Sequence, residues 1–123
     1  YKNNSYDKDK TVFSGLISVD KGAHFTDAYQ TCRNLLMDDT TEANSMPGLQ
    51  INADNVKCSH GSTAAAISDE EIFYLQARGV HSKTAKQLIA RGFCIEVIER
   101  LGCEALEELV LKYVDAKFTT VEA

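Results

Sequence analysis

The chain changes its hydrophobic period once, near Ser68, and no single kind of secondary structure satisfies both halves. Before that point apolar residues alternate. Phe13, Gly15, Ile17 and Val19 share one parity opposite Ser14, Ser18 and Asp20, with Leu16 the exception. Leu49, Ile51 and Ala53 alternate with Gln50, Asn52 and Asp54, and Val56, Cys58 and His60 with Lys57, Ser59 and Gly61. Such runs read as strands whose two faces differ. Punctuation falls at Gly15, Lys21-Gly22, Pro47-Gly48 and Asp54-Asn55. No Asn-Gly or Asp-Gly turn joins adjacent strands, which argues against a simple meander of hairpins. A coil of parallel strands suits the pattern at least as well, and strand pattern alone does not choose between them.

After Ser68 the period is helical. Ser68-Asp69-Glu70-Glu71 predicts a capping box, with the Ser68 hydroxyl accepting from the Glu71 N–H. That helix runs to Arg78 and ends at Gly79. Ser82 is the predicted cap of a second helix, whose row Ala85, Ile89, Phe93, Val97 and Leu101 steps by four along one side. Gly92 within it predicts close packing or a kink, and Gly102 is the natural stop. A third helix carries Leu106, Leu109, Val110, Tyr113 and Val114 on one face, with Glu104, Glu107 and Glu108 early and Lys112 and Lys117 late, as the helix dipole prefers. The expected class is α+β, strands first and about three helices after.

Size and charge remove several functions. At 123 residues the chain can bury a core without disulfide staples, and its 44% hydrophobic and 25% charged residues are ordinary globular values. No run approaches the ~20 apolar residues of a membrane span, and Tyr1–Lys10 is polar rather than a signal-peptide core. A net charge of −5 argues against nucleic-acid binding by bulk charge. The total hides an asymmetry. From Arg78 to Arg91 there are four cations, Arg78, Lys83, Lys86 and Arg91, and no acids; from Glu96 to Glu108 there are five Glu and one Arg. A helix-turn-helix reader of DNA is the lesser reading of the basic stretch, which is small and short of base-reading side chains. A docking face for a protein partner, or a solvated helix surface, fits it better. The chain starts at Tyr1 rather than Met, which reads as a piece of something longer.

Cys32, Cys58, Cys94 and Cys103 form no C-x-x-C, so zinc-ribbon and thioredoxin-like motifs are excluded. In Cys58-Ser59-His60 the thiol and imidazole lie two apart, on one face of a strand, which makes half a metal site at most. Packed, unoxidised side chains are the plain reading of all four, and of Cys94 and Cys103 above all. With no signal segment visible, a reducing, cytoplasmic compartment is the expectation.

The run PGLQINADNVKCSHGSTAAAISDEEIFYLQARGV, from Pro47 to Val80, closely resembles the C-terminal region of the SufB/SufD family, the scaffold subunits of the SUF iron–sulfur cluster assembly system. The resemblance extends upstream through FSGLISVDKGAHFTDAYQTCRNLLM and downstream through LIARGFCIEVIERL. It implies the last rungs of a right-handed parallel β-helix over residues 1–67, with the first ten residues a flexible lead, and a helical domain over residues 68–123. It also implies a non-catalytic scaffold. In this family a β-helix pairs with a SufB or SufD paralogue, the helical domain docks a SufC-type ATPase, and a sulfur donor system feeds a transient cluster. None of that cluster is expected in the isolated fragment.

Two positions carry the implied site. Cys32, in AYQTCRNLL, matches the interface cysteine of SufB, and His60, in KCSHGST, matches the family's interface histidine. Thiolate and neutral imidazole both suit iron–sulfur ligation. SufB follows that histidine with Glu and SufD with Gly; Gly61 is SufD-like, whereas Cys32 is SufB-like. A chain with both half-sites could form a symmetric dimer, pairing Cys32 of one copy with His60 of the other, and Cys58 would enlarge the ligand set. Enzymatic readings fail on the residues. Asp38, Asp39 and Glu42 sit in an expected loop without Arg or Lys company, Ser59 and His60 face opposite sides of a strand, and no Gly-rich phosphate loop is present. ATP hydrolysis would belong to the partner. The live alternative is a pure interaction module acting through the helices.

Overall fold

A computed structural model describes the backbone of residues 1–120 and the side chains of residues 1–118. The described chain is α+β and divides into two units, one from Asn3 to Ala66 and one from Ile67 onward. The first unit holds five strands: β1 (Lys2–Ser5), β2 (Lys10–Val19), β3 (Asp27–Leu36), β4 (Glu42–Ile51) and β5 (Lys57–Ala66). Successive strands alternate between two sheets, one ordered β1-β3-β5 and the other β2-β4. Pairing is parallel, Lys10 beside Glu42 through Val19 beside Ile51, and Asp27 beside Lys57 through Leu36 beside Ala66. A parallel neighbour cannot be reached by a hairpin, and here the strand in the opposite sheet is the crossover. The missing hairpin turns of the sequence have this cause.

The alternation in β2 is realised. Phe13, Gly15 and Ile17 are half-buried and Val19 is buried, while Val12, Ser14, Leu16 and Ser18 are exposed. Leu16 is 62% exposed on that outer face, which resolves its odd place in the pattern. Two of the expected breaks are corrected. Gly15 lies inside β2 and Pro47-Gly48 inside β4. Gly15 makes room: a Cβ there would stand 1.9 Å from Gln30 Nε2 and 2.8 Å from the Phe13 ring. Pro47 is tolerated by parity. Glu42 N donates to Asp9 O and Asn52 N to Val19 O, so the even residues of β4 face β2 and the odd ones, Pro47 included, face the free edge. No ladder bond is lost there. The expected turns at Gly22 and Asn55 hold, both at positive φ (+88° and +54°).

The polar opening residues contribute β1 to the three-stranded sheet. Arg33 N donates to Tyr1 O (2.9 Å) and Met37 N to Ser5 O (3.0 Å), and the Tyr1 ring stacks on Phe13 at 4.4 Å. Asn3 Nδ2 donates to Ser5 Oγ (2.7 Å) and Thr11 Oγ1 (3.1 Å), linking β1 to β2 across the two sheets. Glu42, expected in a loop, opens β4.

The second unit holds α1 (Asp69–Ala77), α2 (Ser82–Ile98), a 3-10 turn (Glu99–Leu101) and α3 (Glu104–Thr120). The capping box is not formed: Ser68 makes no side-chain cap bond, and acids in the first turn, Asp69, Glu70 and Glu71, complement the dipole instead. At the other end Gly79 (φ +88°) donates to Gln76 O and Val80 N to Leu75 O, the paired closure of a Schellman motif. His81 rather than Ser82 caps α2, its ring nitrogen accepting from Lys83 N. Gly92 neither packs closely nor interrupts α2; nothing lies within 4 Å of where its Cβ would be. Ile72, Ala85, Ala90 and Ile98 are buried, but Leu106, Leu109 and Tyr113 of the expected α3 face stay exposed.

Candidate functional site

The site is built on the inner face of the three-stranded sheet. Cys32 Sγ lies 3.2 Å from Ser45 Oγ of β4, so the even residues of β3 face the opposing sheet. The odd residues face the other way: a Cβ on Gly61 would meet the Tyr29 hydroxyl at 3.2 Å, and Tyr29 is itself exposed. Since β3 and β5 run in parallel register, Cys58, His60 and Ser62 share the face of Cys32 and Asn34. Cys32 pairs with Ser62 and His60 with Gln30. Cys32 and His60 are therefore diagonal neighbours one pleat apart, about 8 Å between Cα atoms from ordinary strand spacing and rise. Cys58, opposite Ala28, sits one pleat further along β5.

Burial separates these residues. Cys32 is 0% exposed, Cys58 is half-buried and His60 is exposed. β3 is the middle strand of its sheet and β5 its edge strand, and both contact β4 of the opposing sheet. All four cysteines are free thiols. Cys32, Cys58 and His60 share a face without converging, and no group of three or more His, Cys, Asp or Glu that could hold a metal ion exists among the described residues. Cys94 in α2 and Cys103 before α3 lie outside this face. Gly61, the residue that follows the histidine, points away from Cys32, so a side chain there would act on the Tyr29 face.

The sequence reading passed over two neighbours of Cys32. Asn34 is 4% exposed, and its Nδ2 donates to Ser45 Oγ (3.2 Å) and Thr63 O (3.3 Å) with Cys32 Sγ at 3.6 Å. Its i+2 spacing from Cys32 was the available signal. Ser45 was hidden because its strand continues through Pro47.

The four cations differ in circumstance. Arg78 lies over the Tyr74 ring at 4.7 Å, Lys83 is exposed and Lys86 is half-buried. Lys83 stands in the first turn of α2, where the dipole disfavours a cation and no acid offsets it. Arg91 is committed to Asp115 of α3, with Nε–Oδ1 at 2.6 Å and Nη2–Oδ2 at 3.3 Å. That hydrogen bonding lowers the Asp115 carboxyl below its usual range and raises the Arg91 guanidinium.

Residues 1–93 match the family model described as the SufBD core domain of SUF system FeS cluster assembly. The chain belongs to the SufBD family. It is 47% identical over 105 residues to the iron–sulfur cluster assembly protein SufD of Escherichia coli, which covers 85% of this chain and 25% of that protein. It is 39% identical over 98 residues to the SufBD family protein slr0076 of Synechocystis, covering 80% and 22%. The chloroplastic protein ABCI7 of Arabidopsis thaliana is 41% identical over 91 residues, covering 74% and 19%. The chain thus spans about a quarter or less of these SufBD relatives. None of its described helices is long and apolar enough to cross a membrane.

Proposed function

We propose that this SufBD chain is part of an iron–sulfur cluster assembly scaffold subunit: turns of a right-handed parallel β-helix (residues 1–67) and a helical domain (residues 68–123). It supplies Cys32 and His60, with Cys58 beside them, as ligands at an interface with a SufB or SufD paralogue or a second copy of itself. The cluster is cargo, assembled transiently from iron and a sulfur donor. The chain works as a scaffold rather than an enzyme, in the cytoplasm, and ATP hydrolysis belongs to a SufC-type ATPase docked on the helices. The observation that carries the reading is the shared face of Cys32 and His60, one pleat apart in the parallel register of β3 and β5.

Reconstitution of the full chain with ferrous iron and sulfide tests it. Cys32→Ser and His60→Ala are each expected to remove most of the cluster absorbance, and undiminished absorbance in both overturns the ligand assignment. Docking is read by titration with the ATPase. Joint reversal of Lys83 and Lys86 to Glu is expected to weaken binding at least tenfold, and retained affinity removes the basic stretch, Arg78 and Arg91 included, from the interface. Arg91 is left intact because its reversal would break the Asp115 pair. The exposed Phe73, Tyr74, Leu106, Leu109 and Tyr113 support a second reading, an interaction module without cluster binding. ATPase binding with no cluster on the full chain would favour it.

A further inference from the structure

His60 is exposed on the edge strand β5, so packing does not fix its ring. A neutral imidazole offers a metal only one of its two nitrogens, and the hydrogen bond donated by the other decides which. Few residues surround His60 on its face. Cys58 and Ser62 lie two residues away along β5, and Ala28, Gln30 and Cys32 line β3, with Gln30 directly opposite His60 in the register. Gln30 stands one strand spacing away, about 4.8 Å between Cα atoms, whereas Ser62 is a full pleat distant, about 6.6 Å. The carbonyl of the Gln30 amide is also unpaired: Oε1 is buried with no hydrogen-bond partner among the described residues. A buried acceptor in that state is destabilising, and a donor within reach relieves it.

The amide is seated by the opposing sheet. A Cβ on Gly15 of β2 would stand 1.9 Å from Gln30 Nε2, so the amide fills the space that any side chain at that position would take. Its nitrogen end is lodged there, and its carbonyl is the end without a partner. We infer that Gln30 is the positioning residue of His60: its Oε1 accepts the N–H of one ring nitrogen, which turns the imidazole onto the shared face and leaves the lone pair of the other nitrogen for iron. The inference rests on the reading of His60 as a cluster ligand and adds the residue that orients it. The bond requires only side-chain rotation, because His60 is exposed and its ring can turn while the Gln30 amide keeps its seat. Ligating imidazoles commonly donate their second N–H to a carbonyl or carboxylate, which fixes both ring and tautomer. An amide carbonyl does this without adding a charge to the site.

The test is the tautomer ratio of His60 in the full, isotope-labelled chain, read by NMR from the couplings of the ring nitrogens to the carbon-bound ring protons, in alkaline buffer so that the neutral ring is observed. A peptide of residues 57–63 gives the ratio of the same ring unheld. The wild-type ratio is expected to differ from the peptide's at least threefold. Gln30→Met, which keeps the length of the side chain but has no oxygen, is expected to return it to within twofold of the peptide. Gln30→Glu keeps an oxygen acceptor and is expected to hold the wild-type ratio, as is Ser62→Ala, which removes the hydroxyl further along β5. A wild-type ratio equal to the peptide's overturns the inference. So does a Gln30→Met ratio unchanged from wild type, or a Gln30→Glu or Ser62→Ala ratio at the peptide's value. If Gln30→Met does not fold, Gln30→Ala decides in its place, since it removes the acceptor and adds no bulk. The readout needs neither iron nor sulfide. An unheld His60 in a chain that assembles the cluster sinks only the positioning role, and a held His60 in a chain that assembles none sinks only the ligand reading.

Discussion

The strand unit and the helical unit solve the problem of a stable interior in opposite ways. In the strand unit the parallel ladders satisfy the backbone in regular register, so the interior can hold polar side chains: Ser5, Asn34 and Thr41 are buried, as is Cys32. In the helical unit the backbone bonds are internal to each helix, and the helices meet only through side chains. Ile72, Ala85, Ala90 and Ile98 make a small buried set, while Phe73, Leu88, Leu106, Leu109 and Tyr113 remain in water. The first unit thus keeps chemistry inside, and the second leaves adhesive surface outside.

Glycines offer the sharpest way to break this comparison. Gly15 sits against Gln30 and Phe13, so Gly15→Ala should destabilise the strand unit by about 1–3 kcal/mol through overpacking. Urea unfolding of the full chain, followed through strand amide exchange, reads this; no loss would mean that the inner face is loosely filled. Gly92 has open space around it, so Gly92→Ala should stabilise α2 by up to about 1 kcal/mol. Thermal melting of the helical signal checks the sign, and a loss would restore the close packing expected from the sequence. The smallest effect belongs to the Arg91–Asp115 pair, which is exposed and weakened by salt. Because the folded Asp115 carboxyl is depressed, its contribution is present above the ordinary carboxylate value of about 3.9 and is lost as pH falls through the lower folded value. The stability difference between wild type and Asp115→Asn should therefore shrink between about pH 5 and pH 2. A difference that is flat with pH would show that the pair contributes nothing.

The legible parts of the sequence are those governed by local periodicity. The parity of Phe13 to Val19 was readable because one side of β2 is apolar and the other is not, and Gly79 was readable as a helix end because only a positive φ closes that motif. Pro47 misled because its tolerance depends on which edge its nitrogen faces, a property of register rather than of the local residues. Ser68 stands at the N-cap of α1 as the sequence placed it, only without its side-chain bond, whereas Ser82 misled because several residues near a helix start can cap it, and the entering chain chose His81 for α2. β3 gave no clean apolar alternation, since its inward row is Gln30, Cys32 and Asn34, the polar row that builds the site.

By itself, the order of residues determined the switch from strand to helix near Ser68, the absence of hairpins and the SufBD membership of residues 1–93. All of these are carried by neighbours a few residues apart. Only the tertiary structure decided that Cys32 and His60 share a face, that Ser45 and Asn34 enclose the thiol, and that Arg91 is spent on Asp115. Those relations join residues on different strands or helices, and their geometry follows from register and packing, which no short stretch of sequence contains.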